Sequence, residues 1–555
     1  MDSQQSRRRT LGGILVVFLV FAVILSWQFD RLATTVAENY IFLQLAIAAT
    51  IIALFRSEIG VSTFGVFGPT IIAFAWIQVG PYWGLILITY LFVIAITIRD
   101  LVEPLNLTTP HRVATVLLVV VFGLLVLDGV SHTQPALPQF GFSLFFPAIL
   151  TAWYGDRFVN ELHDSGWIPT LERLVLTVFV IAVAFAVVTF DPFMDWFAAT
   201  PLAWILLVGA NLYLGSITKV RLTEYLRFRR LLRSFEPDGQ GWLSVLTMSV
   251  RNRDFVDRYN PAHLLAGLDK ITVKQLLHGL EIPTPTTYAH LRTVDDLEAV
   301  DSVLEAHAEF VVKPASGLGG EGILVVHGRR DDGRYDTSEG PLEGARIRAH
   351  AKDILEGRYE VAYESAGEAY LEALVHPNGV LSAAAGIGVP DLRVILLRGI
   401  PIMAMARLPT RESRGRANLH GGALAVGLDL ETGRATGAFQ QTRRRWLEAH
   451  PDTGHPIEEL AIPDWEEVLA LASRAAMATH LGYAGVDVVF DREGPIVLEV
   501  NRRPGLGIQN ATMDGLLRRL RYVEARLDDL ATASAPSRVD AGLSFARADW
   551  GGRPQ

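Results

Sequence analysis

Residues Gly485–Asn501 read Gly-Val-Asp-Val-Val-Phe-Asp-Arg-Glu-Gly-Pro-Ile-Val-Leu-Glu-Val-Asn. The apolar pattern around Asp491–Gly494 predicts a β-hairpin. With a three-residue loop, Asp487 lies across from Glu499, and Asn501 follows two residues on, on the same face. Two carboxylates and an amide oxygen on an otherwise apolar hairpin make a hard oxygen site, and Mg²⁺ is held in that way while nucleotide phosphates complete its shell. The alternative is a neutralising arginine between the facing carboxylates, with Arg502 or Arg503 at hand.

A second stretch, Phe310–Val326, places Lys313 at the end of one apolar run and Gly317, Gly319, Gly320 and Gly322 before the next. The spacing matches Gly-x-Gly-x-x-Gly, but a dinucleotide fingerprint needs a helix next, and Ile323–Val326 reads as a strand. No Gly-Lys-Ser/Thr occurs here, which removes a Walker A loop, and the kinase signatures His-Arg-Asp and Asp-Phe-Gly are absent. A glycine loop between two strands suits folding over a triphosphate, with the Lys313 ammonium against a phosphate; a plain hairpin fits the loop alone equally well. Between the two stretches, Asp391 and Arg393 share a strand face and Arg407 ends the next strand. Arginines so placed can balance charge on a transferring phosphoryl group.

The elements that must position these residues are short β-type runs at Phe310–Lys313, Gly322–His327, Ala369–Leu374, Leu392–Leu397, Pro401–Arg407, Gly485–Phe490 and Pro495–Val500. Helical patterns fit Val273–Leu280, Leu297–Ala306 and Trp465–His480. The mixture predicts an α+β domain with antiparallel hairpins.

That domain fills only part of the chain. Of the 555 residues, the first 219 hold 10 Lys+Arg and 13 Asp+Glu, against 40 and 46 in the remainder. Eight apolar runs fall in the charge-poor part: Leu11–Trp27, Ile41–Phe55, Val61–Ile77, Tyr82–Ile98, Val113–Leu127, Phe142–Tyr154, Leu171–Phe190 and Leu202–Ile217. They predict a polytopic α-helical membrane bundle of about eight spans, with seven as the alternative count. Arg7–Arg9, Arg56, Arg99, Arg112, Arg157, Arg173 and the basic stretch from Lys219 fall on one side, whereas Arg31 stands alone on the other. By the positive-inside rule both termini are cytoplasmic, which requires an even count. The segment Ser62–Pro69 breaks one run, as a packing kink or a groove lining.

The resulting division is 1–220 membrane bundle, 221–240 basic juxtamembrane helix, 241–533 soluble domain and 534–555 loose tail. The spans carry few ionisable residues, which argues against ATP-coupled transport. With no cysteine, disulfides, thiol nucleophiles and Cys-ligated metals are excluded. The net charge of −9 argues against a nucleic-acid partner.

Residues from about 242 to 525 resemble the alpha-L-glutamate ligase-like proteins, relatives of the ribosomal-protein glutamate ligase in the ATP-grasp superfamily. The resemblance rests on Arg251-Asn-Arg253, Tyr259-Asn-Pro261, Asp269-Lys270, Lys274, Lys313-Pro314, Asp391-Leu-Arg393, Met403–Thr410, Ala417-Asn-Leu-His420 and Leu498-Glu-Val-Asn501 with Pro504-Gly505. It implies an ATP-grasp fold in which Lys270 and Lys313 contact ATP phosphates, the assignment lying between Lys270 and Lys274. It also places Glu372 at the adenine/ribose hinge and makes Arg393, Arg407 and Asn418 the catalytic set. Asp487, Glu499 and Asn501 would hold Mg²⁺, or Mn²⁺ in its place. The implied activity is an ATP-dependent carboxylate–amine ligation, forming an amide through an acyl phosphate, on an amino acid, peptide or envelope-linked substrate at a bacterial inner membrane. The alternative is a membrane sensor or scaffold whose degenerate ATP-grasp domain only binds nucleotide. The chain departs from the family in carrying Glu321 in the glycine loop and in a shortened amino-terminal subdomain. Thr63–Pro69, Glu103-Pro-Leu105 and Phe146-Pro147…Asp156-Arg-Phe158 resemble the seven-transmembrane module attached to inactive transglutaminase-like domains.

Overall fold

The computed structural model describes residues 20, 40–102, 109–133, 158, 167–217, 221–234, 244–261, 268–315, 322–357, 367–530 and 532–548. Two units divide the chain, Met1–Tyr225 and Leu226–Gln555.

In the first unit the apolar runs become helices at Tyr40–Leu54, Phe67–Val79, Pro81–Val102, Thr109–Thr133, Trp167–Val188 and Pro201–Ile217. Two expected spans, Leu11–Trp27 (Val20 apart) and Phe142–Tyr154, lie outside the described residues. Among the described residues, Tyr40–Ile59, Ala114–Thr133 and Thr170–Val188 are long and apolar enough to cross a membrane. Asp191–Ala198 and Leu202–Gly215, bent by 99°, make a fourth if taken as one span. The loop expected at 191–201 thus holds a short helix, entered through Asp191 and Pro192, with Met194 and Phe197 turned inward. Ile47, Ile52, Trp76, Val180, Ile181 and Val188 pack together, while Phe42, Phe122, Val175 and Phe179 face outward. Helices apolar on both faces suit a lipid surround.

The run expected at Val61–Ile77 is helical only from Phe67. Gly60 has φ +86°, and a Cβ there would lie 2.1 Å from Thr223 Oγ1, so the close approach requires glycine. The non-helical backbone that follows finds partners inside the bundle. Arg56 Nη1 donates to Thr63 O at 3.0 Å, and Phe64 N donates to Thr177 Oγ1 at 3.1 Å. Irregular backbone at membrane depth requires such protein partners.

The second unit holds two antiparallel sheets. The first is built from β1 (Thr287–Leu291), β2 (Phe310–Pro314), β3 (Leu324–Arg329), β4 (Tyr335–Thr337), β5 (Gly340–Leu342) and β6 (Ala369–Glu372), in the order β1-β6-β2-β3-β4-β5. Helices Glu298–Ala306 and Gly344–Leu355 cover it through Val300, Val303, Ile347 and Ile354. The second is built from β7 (Asp391–Leu397), β8 (Ile400–Leu408), β9 (Leu424–Leu428), β10 (Ala435–Gln440), β11 (Arg445–Leu447), β12 (Tyr483–Asp491) and β13 (Gly494–Asn501), in the order β11-β10-β9-β8-β7-β12-β13. Its central strands are buried on both faces, so β7 and β8 read as continuous apolar runs rather than alternating ones.

The expected division needs two corrections. Phe228, Leu231 and Leu232, in the stretch expected to be a juxtamembrane linker, are buried in the core of the second unit. The stretch expected to be a loose tail contains the helix Ala535–Arg547, capped by Ser534 and with Val539 and Leu543 buried in that same core. Its Ala, Ser and Arg content conceals an i, i+4 apolar pair, and that pair faces the protein.

Candidate active site

Sheet register gathers the charged residues of the second unit. Asp487 on β12 pairs across with Glu499 on one side and with Arg393 of β7 on the other, and Asp391 of β7 pairs with Arg407 of β8. The facing of Asp487 and Glu499 is as expected, but its cause differs. Asp491 pairs directly with Gly494, which leaves a two-residue turn, and a bulge between Val488 and Asp487 then shifts the register by one. Bulges of this kind re-aim side chains beside functional sites.

Arg393 grips Asp487 with both nitrogens of its fork, Nε to Oδ1 at 2.7 Å and Nη2 to Oδ2 at 2.6 Å. Arg407 donates to Asp391 through Nε at 2.5 Å and through Nη2, which also reaches Asp487 Oδ2 at 2.8 Å. Asn501 Nδ2 donates to the same oxygen at 3.0 Å. The arginines that neutralise Asp487 are therefore Arg393, on the strand β7 beside β12, and Arg407, which reaches across from β8 on the far side of β7. Burial opposes ionisation of Asp487, but Arg393 and Arg407 outweigh it and hold its carboxyl below the usual range. Burial pushes Asp391 up to about 6, with Arg407 opposing and Asp487 adding to the rise. Arg407 is held more firmly protonated than usual, since Asp391 and Asp487 overcome its burial.

A second charged group rests on β2, β6 and the helix Lys270–Gly279. Glu372 is fully buried, and Lys274 and Lys313 each donate to one of its oxygens. Lys274 also donates to Pro285 O at 3.2 Å and lies 5.3 Å from the Tyr370 ring. Burial, then the charge of Lys313, pushes Lys274 down to about 7. Burial, then Lys270, pushes Lys313 down to about 8, against the pull of Glu499. One carboxylate between two ammoniums leaves surplus positive charge, which an anion would neutralise. Lys270 starts its helix behind the Asp269 cap, and its Nζ lies 3.9 Å from Glu499 Oε1. Both lysines considered for the phosphates, Lys270 and Lys274, thus belong to this corner of the molecule.

The site residues fare differently. Gly317, Gly319 and Gly320 lie outside the described residues; Gly322 is described, with φ +67°, and its carbonyl is 2.9 Å from His350 Nε2. Asn418 lies in the loop between β8 and β9, where its Oδ1 accepts from His420 N at 3.0 Å and caps a single 3₁₀ turn. Glu372 presents its carboxylate to two lysines, so its side chain holds cations in place. Tyr370, not singled out from sequence, lies two residues before Glu372 on the same strand face, and that spacing was its signal.

Among the described residues, no three His, Cys, Asp or Glu side chains gather as a metal site. The smaller set of Asp487, Glu499 and Asn501 still suits Mg²⁺. Asp487 Oδ1 accepts one hydrogen bond of the two it can take, Glu499 is 37% exposed, and the Asn501 amide turns its nitrogen rather than its oxygen to Asp487. Mg²⁺ takes one or two carboxylates and fills its other positions with water and phosphate oxygens.

Residues 250–525 match the family described as sugar-transfer associated ATP-grasp. That stretch of the chain carries an ATP-grasp domain. Residues 22–232 match the family described as 7 transmembrane helices usually fused to an inactive transglutaminase. The chain is 27% identical over 248 residues to a probable alpha-L-glutamate ligase of Maridesulfovibrio salexigens, covering 44% of this chain and 58% of that protein. It is also 27% identical over 266 residues to one from Xanthomonas axonopodis pv. citri, covering 47% and 66%. The chain therefore spans less than two thirds of the length of these relatives. Similar solved structures include D-alanine–D-alanine ligase from Bacillus anthracis complexed with ATP (TM-score 0.25, 15% identity, 51% of this chain and 66% of that one). D-cycloserine synthetase is another (TM-score 0.28, 18% identity, 51% and 82%). Both sheets and both charged groups fall inside the ATP-grasp match, whereas Arg227, Arg230 and the helix Ala535–Arg547 fall outside it.

Proposed function

We propose that this protein is a membrane-anchored, ATP- and Mg²⁺-dependent carboxylate–amine ligase working at the cytoplasmic face of a bacterial inner membrane. The observation that carries this reading is the assembly of charge at the ATP-grasp sheets: Lys274 and Lys313 on Glu372, Lys270 beside Glu499, and Arg393 with Arg407 on Asp487. Lys270, Lys274 and Lys313 bind the phosphates of ATP, and buried Glu372 fixes the latter two ammoniums in position. Glu499, Asn501 and the remaining lone pair of Asp487 Oδ1 would hold Mg²⁺, which when bound offsets phosphate charge. Mn²⁺ suits the same oxygen donors.

A substrate carboxylate oxygen attacks the γ-phosphorus, the bond to the β-phosphate bridging oxygen breaks, and ADP leaves. Arg393 and Arg407, rigid and permanently charged, balance the charge on the phosphoryl group in flight. The amine nitrogen then attacks the acyl carbon, phosphate departs, and the amine proton goes to solvent. An acyl phosphate is already activated, so positioning supplies most of the remaining rate. The relatives' name supports glutamate as the amino acid joined, and the membrane module supports an envelope-linked partner.

The test is to give the purified full chain ATP, Mg²⁺, a panel of amino acids and hydroxylamine, and to measure hydroxamate and ADP. Wild-type turnover should exceed that of a Glu499→Gln variant. Equal, background turnover in both across the panel refutes the ligase.

A further inference from the structure

The helix Leu222–Ser234 brings two arginines to the ATP-grasp domain from outside its family match. From Leu226 onward it packs on the domain through Phe228, Leu231 and Leu232, which are buried. That packing sets the outward side chains of the same turns. Arg230 lies over the Trp446 ring, 4.5 Å from its centroid, and makes no ion pair among the described residues. Trp446 is itself fixed, its ring tilted 48° against that of Phe439 with the centroids 4.5 Å apart, and its Nε1 donating to Asn510 O at 3.3 Å. Arg227, one turn earlier and half-buried, acts on His420. His420 Nδ1 accepts from Gln441 Nε2, 3.0 Å away.

This basic face adjoins the reaction centre through the chain. His420 is two residues from Asn418 in the loop that leaves β8 just beyond Arg407. A Cβ on Gly507, six residues past Asn501, would lie 3.0 Å from Gln441 Oε1 and 3.3 Å from Leu419. Burial and the charge of Arg227 hold the His420 imidazole below its ordinary value, so the ring stays neutral and the arginines carry the positive charge. A guanidinium held over an indole keeps donors to offer while losing little freedom on binding, which suits recognition of a phosphate rather than diffuse attraction to a surface.

We propose that Arg227 and Arg230, framed by Trp446, His420 and Gln441, form a phosphate-binding subsite for the acceptor substrate. This rests on the ligase reading and narrows it: the partner joined to the amino acid carries a phosphate or pyrophosphate group, free or lipid-linked. The subsite recognises that anion while the amine reaches the acyl phosphate.

The probe is inorganic pyrophosphate, titrated by calorimetry into the detergent-solubilised full chain with its ATP site saturated by Mg²⁺ and a non-hydrolysable ATP analogue. The expected result is saturable binding that Arg227→Gln/Arg230→Gln weakens roughly tenfold or more, the loss of charge-assisted hydrogen bonds. Arg227→Lys/Arg230→Lys should recover part of it, and both variants should bind the ATP analogue as wild type does, which shows that they fold. Unchanged pyrophosphate affinity in the glutamine variant overturns the subsite, as does absence of binding to wild type. A second arm uses nanodiscs of phosphatidylcholine with and without phosphatidylglycerol. Equal pyrophosphate binding in both supports a substrate subsite; abolition by phosphatidylglycerol assigns the arginines to the bilayer and overturns it. The titration needs no turnover, so it stands or falls separately from the hydroxamate assay.

Discussion

The membrane helices and the ATP-grasp domain bury opposite kinds of side chain. Among the described residues of 40–217, the buried polar side chains are Gln44, Thr63, Thr70, Ser131, Thr170 and Thr177, all uncharged. Gln44 donates to Val188 O at 2.8 Å, and Thr63, Thr70, Ser131 and Thr177 likewise donate to carbonyls. These bonds serve packing. In the ATP-grasp domain the buried set includes Lys274, Glu372, Asp391 and Asp487, each held by a charged partner. Burying an ion is costly unless it is paired and hydrogen-bonded. Among their described residues the membrane helices of 40–217 avoid that cost, though Glu224 at the end of the first unit is buried, and the ATP-grasp domain bears it repeatedly, which marks the latter as the place where charge is handled.

The contrast can be tested from its strongest point. Asp487→Ala leaves Arg393 and Arg407 facing each other without their shared carboxylate; it should cost about 3–5 kcal/mol of stability, read as a lowered midpoint of thermal unfolding. An unchanged midpoint would mean that the cluster does not hold the sheet. Glu499→Gln, at a partly exposed position, should leave the midpoint nearly unmoved yet lower ligation by roughly a hundredfold, seen in hydroxamate assays.

The lysine pair predicts a pH dependence. Lys274 and Lys313 lose their protons near about 7 and about 8 in the unliganded protein. ATP favours the charged forms and raises both values. Affinity should therefore be full below about pH 7 and fall as pH rises through this window, by roughly tenfold per pH unit for each proton taken up on binding. Equilibrium titration with a fluorescent ATP analogue across this range checks the sign, and tightening with pH would refute it. At the weak end, Gln44→Leu in the membrane unit should cost about 1 kcal/mol or less and leave ATP affinity alone.

Local signals carried much of this organisation. The apolar runs located the described membrane helices, and the strands at Phe310, Ala369, Leu392, Pro401, Gly485 and Pro495 all formed near their expected limits. The facing of Asp487 and Glu499 was legible because a hairpin is a local object, although the expected three-residue loop is a two-residue turn with a bulge that restores the same pairing. What remained hidden depends on pairing between distant strands. Arg393 becomes the neighbour of Asp487 only when β7 joins β12, across 94 residues of sequence. β1, β4, β5, β9, β10 and β11 were missed because each is short and draws its stability from the strand beside it. The Lys274–Glu372–Lys313 group needed both sheet order and the placement of a helix, and no periodicity within one segment encodes that.

The helix Ala535–Arg547 has a consequence for biosynthesis. Its Gly542 lies so close to β8 that a Cβ would sit 2.8 Å from Pro401 O, and Arg538 donates to the carbonyl of Arg398 in the β7–β8 turn. The strands bearing Arg393 and Arg407 leave the ribosome well before this cover exists. At roughly 5–20 residues per second, they wait several seconds or more with an apolar face uncovered. The ATP-grasp domain can close its core only after residue 547 has emerged, by which time the membrane helices of the same chain have long since been made. During that interval the nascent domain is a natural client for a chaperone.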